Sequence, residues 1–284
     1  MKEKKEKRKK TIKEIVLENL RVIGEAYVIA FVIRLLLLEA FAIPTGSMIP
    51  TIMIGDRIIV LKPPYGINFP IINVKTPGIT TPNRGDIIVF KNPTYRSPGI
   101  IRELITLLTF SVINLDNEPK YFVKRVIGIP GDSIQIISNN LLINGKELKR
   151  NMIKKENGWL YLNESIDNKS WVIRIKGEIL FDDGILRNFS LSNLYYLYDT
   201  NSRIILSLQG IPENYLPNLE YFKDEIENIK QSLKENKIPK GYYFVMGDNR
   251  DESSDSRYWG LVPENLIIGK GILRFWPPNR IGVF

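Results

Sequence analysis

The chain has 284 residues, 44% hydrophobic and 25% charged, a composition that suits one large domain carrying an insertion or two modest ones. It contains no histidine and no cysteine, which excludes a Ser-His-Asp triad, a thiol protease, a Cys/His zinc site and a disulfide framework. The net charge of +9 is concentrated at the start, where residues 1–10 hold seven Lys/Arg against Glu3 and Glu6, leaving 33 basic and 29 acidic residues beyond. With no zinc knuckle and no basic-aromatic interleaving, this balance argues against nucleic acid as a partner.

Residues 1–12 read as a basic cytoplasmic tail and 13–43 as a membrane anchor helix. The apolar part, AYVIAFVIRLLLLEAFAI over 26–43, would be about 27 Å long as a helix, close to the thickness of a bilayer's hydrocarbon core. Arg34 and Glu39 interrupt it, and a central Arg is penalised by about 2.5–3.5 kcal/mol on insertion. The competing reading is an amphipathic helix in a soluble domain or on a membrane surface. The run ends in IPTGSMIP and not in a small-x-small cleavage site, so it does not read as a cleaved signal sequence. If it spans, the basic tail stays cytoplasmic and everything after Ile43 is exported.

From Pro44 the texture changes to short Ile-, Val-, Phe- and Tyr-rich runs punctuated by Gly and Pro. DRIIVLK, GDIIVFKNP, KYFVKRVIGIPGD, SIQII and GYYFVMGD predict a mainly β, antiparallel catalytic core over 44–146 and 239–284. Residues 147–238, rich in Asn and Lys, predict an inserted α+β cap subdomain ending in a helix over 217–236. Its apolar stripe (Leu219, Phe222, Ile226, Ile229, Leu233) is expected to pack on that subdomain. The apolar segment 100–115 is short for a span, and a crossing there would separate Ser47 from Lys124. A buried or membrane-surface helix is expected instead.

Without histidine, a hydroxyl nucleophile needs a carboxylate or a neutral lysine as its base. A lysine at its reference pKa of about 10.4 is neutral in roughly one molecule in a few thousand at pH 7, so burial must depress it. Lys124 lies in the apolar run YFVKRVIGIPG, where strand geometry sends Lys124 and Arg125 to opposite faces, one into the core and the other to solvent. Of the two, only lysine can lose its proton. Ser47 follows the anchor in PTGSMIP, where Gly46 and flanking prolines make a fixed loop able to aim a backbone N–H at an oxyanion. Judged singly, Ser47 reads as a turn residue and Lys124 as a charge at a sheet edge.

A third segment, GDNRDESSDSRYWGLVP over 247–263, is dense in charge and hydroxyls. Its Asp251-x-Ser253-x-Asp255 spacing resembles a calcium loop, but Ser256 stands at the sixth position and Val262 at the twelfth, where Gly and Glu belong. What remains is a polar loop able to brace a catalytic residue.

Together these segments resemble the boxes of bacterial type I signal peptidases, Ser/Lys endopeptidases that remove signal peptides from exported proteins. The similarity covers 34–62, 84–91, 121–133 and 241–276, in the family's order. The resemblance implies Ser47 as nucleophile, Lys124 as general base, Ser253 as the hydroxyl that orients the lysine amine, and Asp255 with Arg257 as the ion pair supporting that loop. It also implies an oxyanion hole from the Ser47 N–H and the hydroxyl of Thr45, where many members carry Ser. Phe41, Ile43, Met48, Ile52, Ile58 and Val123 match the apolar lining of the S1 and S3 pockets. The implied reaction cuts secretory preproteins after Ala-x-Ala-type residues through an acyl-enzyme, without cofactor or metal. The implied location is the cell membrane, with the lipid bilayer as a partner and the catalytic domain on the extracytoplasmic side. A repressor-type Ser/Lys protease would need a DNA-binding amino domain that 1–43 cannot supply. An inactive tethered scaffold would have no need of Ser47, Lys124, Ser253 and Thr45 together.

Overall fold

The computed structural model describes residues 11–69, 74–92, 99–109, 120–137, 140–176, 188–191 and 223–284. Helix α1 (Ile12–Leu36) begins where the Glu14 carboxylate accepts from the Thr11 N–H at 2.8 Å. It stops short of the expected Ile43, because Leu38–Ala42 forms strand β1, paired antiparallel with β2 (Arg57–Leu61). The two charges inside the apolar run find their partners at the break. The Arg34 guanidinium holds Glu39 at 2.9 Å, while the Lys62 ammonium holds Glu39 and the Arg34 carbonyl, each at 2.8 Å. Arg34 and Glu39 therefore sit at the junction of helix and sheet, where partners satisfy them. Among the described residues, no helix is long and apolar enough to cross a membrane.

The remaining strands are β3 (Asn68–Phe69), β4 (Val74–Lys75), β5 (Ile87–Lys91), β6 (Tyr121–Gly128), β7 (Ile134–Ile137), β8 (Asn140–Ile143), β9 (Lys146–Glu147), β10 (Lys149–Glu156), β11 (Trp159–Ile166), β12 (Lys169–Lys176), β13 (Asn188–Ser190), β14 (Tyr242–Met246), β15 (Val262–Pro263), β16 (Ile267–Trp276) and β17 (Gly282–Val283). The main sheet runs β1-β2-β16-β5-β6-β14-β15, with β17 on β16, and its pairs are antiparallel, as the strand runs predict. Its central strands are covered on both faces: β14 is buried throughout and β6 from Lys124 to Gly128. That double burial governs the site below.

Helix α2 (Ile100–Leu108) starts where expected, and 110–115 lie outside the described residues. It rests on α1: the Tyr27 hydroxyl donates to the Leu108 carbonyl at 2.6 Å and Arg34 donates to that of Leu107 at 3.2 Å, satisfying carbonyls that a helix end leaves open.

Strands β10-β11-β12 form a separate sheet, whereas β13 joins the core strands β7-β8-β9. Helix α3 (Lys223–Lys234) buries Ile229 and Leu233, but not against the cap alone. They share one cluster with Leu162, Trp171 and Ile173 of the insertion and with Ile127, Phe244 and Met246 of the core. The insertion and the core thus have a common apolar interior. Leu219, Phe222 and the Ile226 side chain lie outside the described residues, as does the 1–10 tail.

Candidate active site

Lys124 lies opposite Ile88 of β5, and on its other side Met246 of β14 pairs with Arg125. Gly247 follows Met246 directly, at the end of β14. The lysine is 4% exposed. Burial pushes its amine down to about 8; Asp255 and Asp248 oppose the shift and Arg257 adds to it.

Ser47 is half-buried in the turn between β1 and β2, which is pinned to the core by Met48 and Ile52. The Asn249 N–H donates to the Ser47 carbonyl at 3.0 Å, and the Asn249 side-chain amide donates to the Gly46 carbonyl at 3.0 Å. A Cβ added at Gly247 would overlap both the Ser47 carbonyl oxygen and the Ser253 side chain. The backbone of the nucleophile candidate and the Ser253 side chain thus converge on one glycine, and only a residue without a side chain lets them approach. Ser253 is 5% exposed, and its Oγ has no hydrogen-bond partner among the described residues. A buried hydroxyl left unpaired at this point is costly to keep.

Asp255 and Arg257 form a buried ion pair. The carboxylate accepts from Arg257 Nε at 2.8 Å and Nη2 at 2.9 Å, and from the Gly247 N–H at 2.9 Å, while capping helix α4 (Ser256–Trp259). Burial alone would raise the Asp255 carboxyl; the charge and hydrogen bonds of Arg257 override it and hold the group below the usual carboxylate range. Thr45 is exposed, two residues before Ser47.

The six apolar candidates fall in one place. Ile43, Met48, Ile52 and Ile58 are buried in a single cluster, against which Phe41 and Val123 pack half-buried. Phe41 faces Ile58 across the β1/β2 ladder and meets the Tyr121 ring edge-on at 5.2 Å. Four of the six therefore back the surface that Phe41 and Val123 share with solvent.

One expectation is corrected. Arg125 does not reach solvent; it is 7% exposed and donates to Asp248 at 2.8 and 2.6 Å and to the Gly85 carbonyl at 2.8 Å. Asp248 also accepts the Thr51 hydroxyl at 2.5 Å, and the Trp171 ring of β12 covers the guanidinium at 5.4 Å. Because β6 is covered on both faces, a charge on the far face needs a partner as much as one on the near face. Asp248 and Thr51 were open to notice as polar residues beside the motifs, but strand alternation says only that two faces differ, not which is wet.

Among the described residues, no group of three or more carboxylates stands close enough to hold a metal ion. A lowered amine, an unpaired hydroxyl and a serine in a fixed loop are the groups that nucleophile-and-base chemistry requires.

The family model described as signal peptidase, peptidase S26, matches residues 16–276. The chain is 34% identical over 266 residues to a signal peptidase I of Buchnera aphidicola, covering 86% of this chain and 71% of that protein. It is 31% identical over 266 residues to a signal peptidase I of Pseudomonas aeruginosa, covering 89% and 70%. A crystal structure of a signal peptidase I from Enterococcus faecalis aligns with 68% of this chain and 98% of that one, at 22% identity and a TM-score of 0.29.

Proposed function

Because the chain belongs to the signal peptidase family, peptidase S26, we propose that it works through Ser47 as nucleophile and Lys124 as general base. As a member of that family it is a serine endopeptidase that removes signal peptides from preproteins. The observation that carries the dyad is the burial of Lys124 within reach of Asp248, Asp255 and Arg257, on the loop whose Gly247 packs against the Ser47 carbonyl and the Ser253 side chain.

Neutral Lys124 takes the Ser47 proton as Oγ attacks the scissile carbonyl carbon, and the Ser47 N–H and Thr45 hydroxyl donate to the oxyanion. The protonated amine then passes its proton to the departing amine, leaving an acyl-enzyme. Once neutral again, Lys124 takes a proton from water as the water oxygen attacks the ester carbonyl, and passes that proton to the departing Oγ, freeing Ser47 and the product acid. Ser253 orients the lysine amine, and the Asp255/Arg257 pair holds the loop that carries Ser253. No cofactor enters these steps.

The apolar cluster of Phe41, Ile43, Met48, Ile52, Ile58 and Val123 favours small residues at the first and third positions before the cut, giving Ala-x-Ala specificity by steric exclusion. Among the described residues, strand β1 ends the sheet's pairing order, and that edge suits an extended secretory preprotein.

Attachment to the cell membrane falls to α1, which buries none of its residues and exposes Val16, Leu20, Ile23, Val28, Ile29 and Val32. Such an apolar surface calls for lipid. The basic tail would lie in the cytoplasm and the catalytic core outside it. Added protease should degrade the core in spheroplasts and spare the tail; degradation of the tail alone would reverse this orientation.

The dyad is tested by incubating detergent-solubilised protein with a preprotein. Ser47→Ala and Lys124→Ala should each abolish cleavage, and undiminished cleavage by either overturns the assignment.

A further inference from the structure

Glu164, on β11 of the insertion, is fully buried. A buried carboxylate survives only when charged or polar groups surround it. Here both terminal nitrogens of Arg250 donate to it, one at 2.9 Å and the other closer, and Arg150 Nε and Trp171 Nε1 each donate at 3.0 Å. Burial alone would raise this carboxyl; Arg250 and Arg150 hold it below the usual range, so it is an anion. Among the described residues, Glu164 is the only acidic partner of Arg250.

Arg250, itself 3% exposed, leads from Glu164 into the site. Its Nε donates to the Gly247 carbonyl at 3.2 Å, and its own carbonyl accepts from Arg257 at 2.6 Å. Gly247 is the residue packed against Ser47 and Ser253, and Asn249 holds the Ser47 carbonyl. Strand β12 supports the same loop: the Arg174 N–H donates to the Asp248 carbonyl at 2.9 Å and the Lys176 N–H to the Asp251 carboxylate at 2.5 Å. The insertion supplies none of the proposed reacting groups, yet it braces the loop on which they meet.

We infer that Glu164 is a positioning residue for the peptidase reaction, fixing through Arg250 the 247–257 loop that aligns Ser47 with Lys124 and keeps water from the lysine. The inference rests on the proposed dyad. The charged groups acting on Lys124 are Asp255, Arg257 and Asp248, all on this loop, and Glu164 is not among them. Its influence on the lysine therefore passes through where the loop lies. If the loop loosens, Lys124 gains water and its amine returns toward the ordinary value.

The test uses the full chain in detergent with a preprotein, measuring kcat and KM separately across pH, together with thermal melting. Glu164→Gln should lower kcat by about 10- to 100-fold with KM little changed, as expected for a misplaced reacting group. It should also move the ascending limb to higher pH. Glu156→Gln, an exposed carboxylate on β10, should change neither. Trp171→Phe removes the indole N–H together with part of the ring that covers Arg125, and should give a change in the same direction. A folded Glu164→Gln with wild-type kcat and limb, or with loss confined to KM, overturns the inference. Should Glu164→Gln not fold, Trp171→Phe decides, and its unchanged kcat and limb overturn the inference equally. Cleavage by Ser47→Ala or Lys124→Ala would instead sink the dyad. If both are inactive while Glu164→Gln is normal, the positioning role alone fails.

Discussion

The Asn249 N–H donates to the carbonyl oxygen of Ser47 at 3.0 Å, so the loop after β14 is bonded directly to the backbone of the proposed nucleophile. Gly247 lies between the same two segments with no room for a Cβ. Gly247→Ala should therefore push Ser47 from Ser253 and lower kcat by about 100-fold or more, as an ångström-scale displacement does. Far-ultraviolet circular dichroism should show the sheet retained. Full activity in this variant would mean that the loop tolerates displacement without consequence.

Lys124 carries a stability cost that follows from its burial. Its folded-state amine titrates near 8, below its ordinary 10.5, so below pH 8 the folded protein holds a buried ammonium. Between these values the unfolded chain binds more protons, and wild-type stability rises with pH across that window. Lys124→Met, similar in shape and uncharged, should be more stable than wild type by about 1–3 kcal/mol at pH 6, with the advantage fading as pH approaches 10.5. Urea titrations at three pH values would check both the sign and the window.

The Asp255/Arg257 pair should be intolerant of losing one member. Arg257→Met leaves a fully buried carboxylate without its guanidinium and should destabilise the fold by about 3–5 kcal/mol at pH 7. Asp255 lies below the usual carboxylate range in the wild type, so its contribution is present at neutral pH and is lost as pH falls through its folded value. The gap between variant and wild type should accordingly narrow in acid, as denaturation midpoints at pH 7 and pH 3 would show.

The strands were legible where β-branched residues cluster between Gly-Asp turns: DRIIVLK became β2, GDIIVFK became β5, and FVKRVIG became β6. The end of α1 was not, because LEAFA is as apolar as the helix before it and only pairing with β2 distinguishes strand from helix. Segments around Ser47, Lys124 and Ser253 stood out because a chain without histidine leaves few ways to activate a hydroxyl. Arg125 and Glu164 did not stand out. What decides their role is whether neighbouring elements cover them, and a run such as NESI carries no sign of the Arg250 that meets it across the insertion.

The pH dependence of kcat/KM on a preprotein tests the central claim most directly. A general base must be neutral to act, so activity should rise with pH along a limb centred near 8, set by Lys124 in the free enzyme. A limb that keeps rising toward the ordinary lysine value of 10.5 would contradict the account, because it would mean that burial does not tune Lys124.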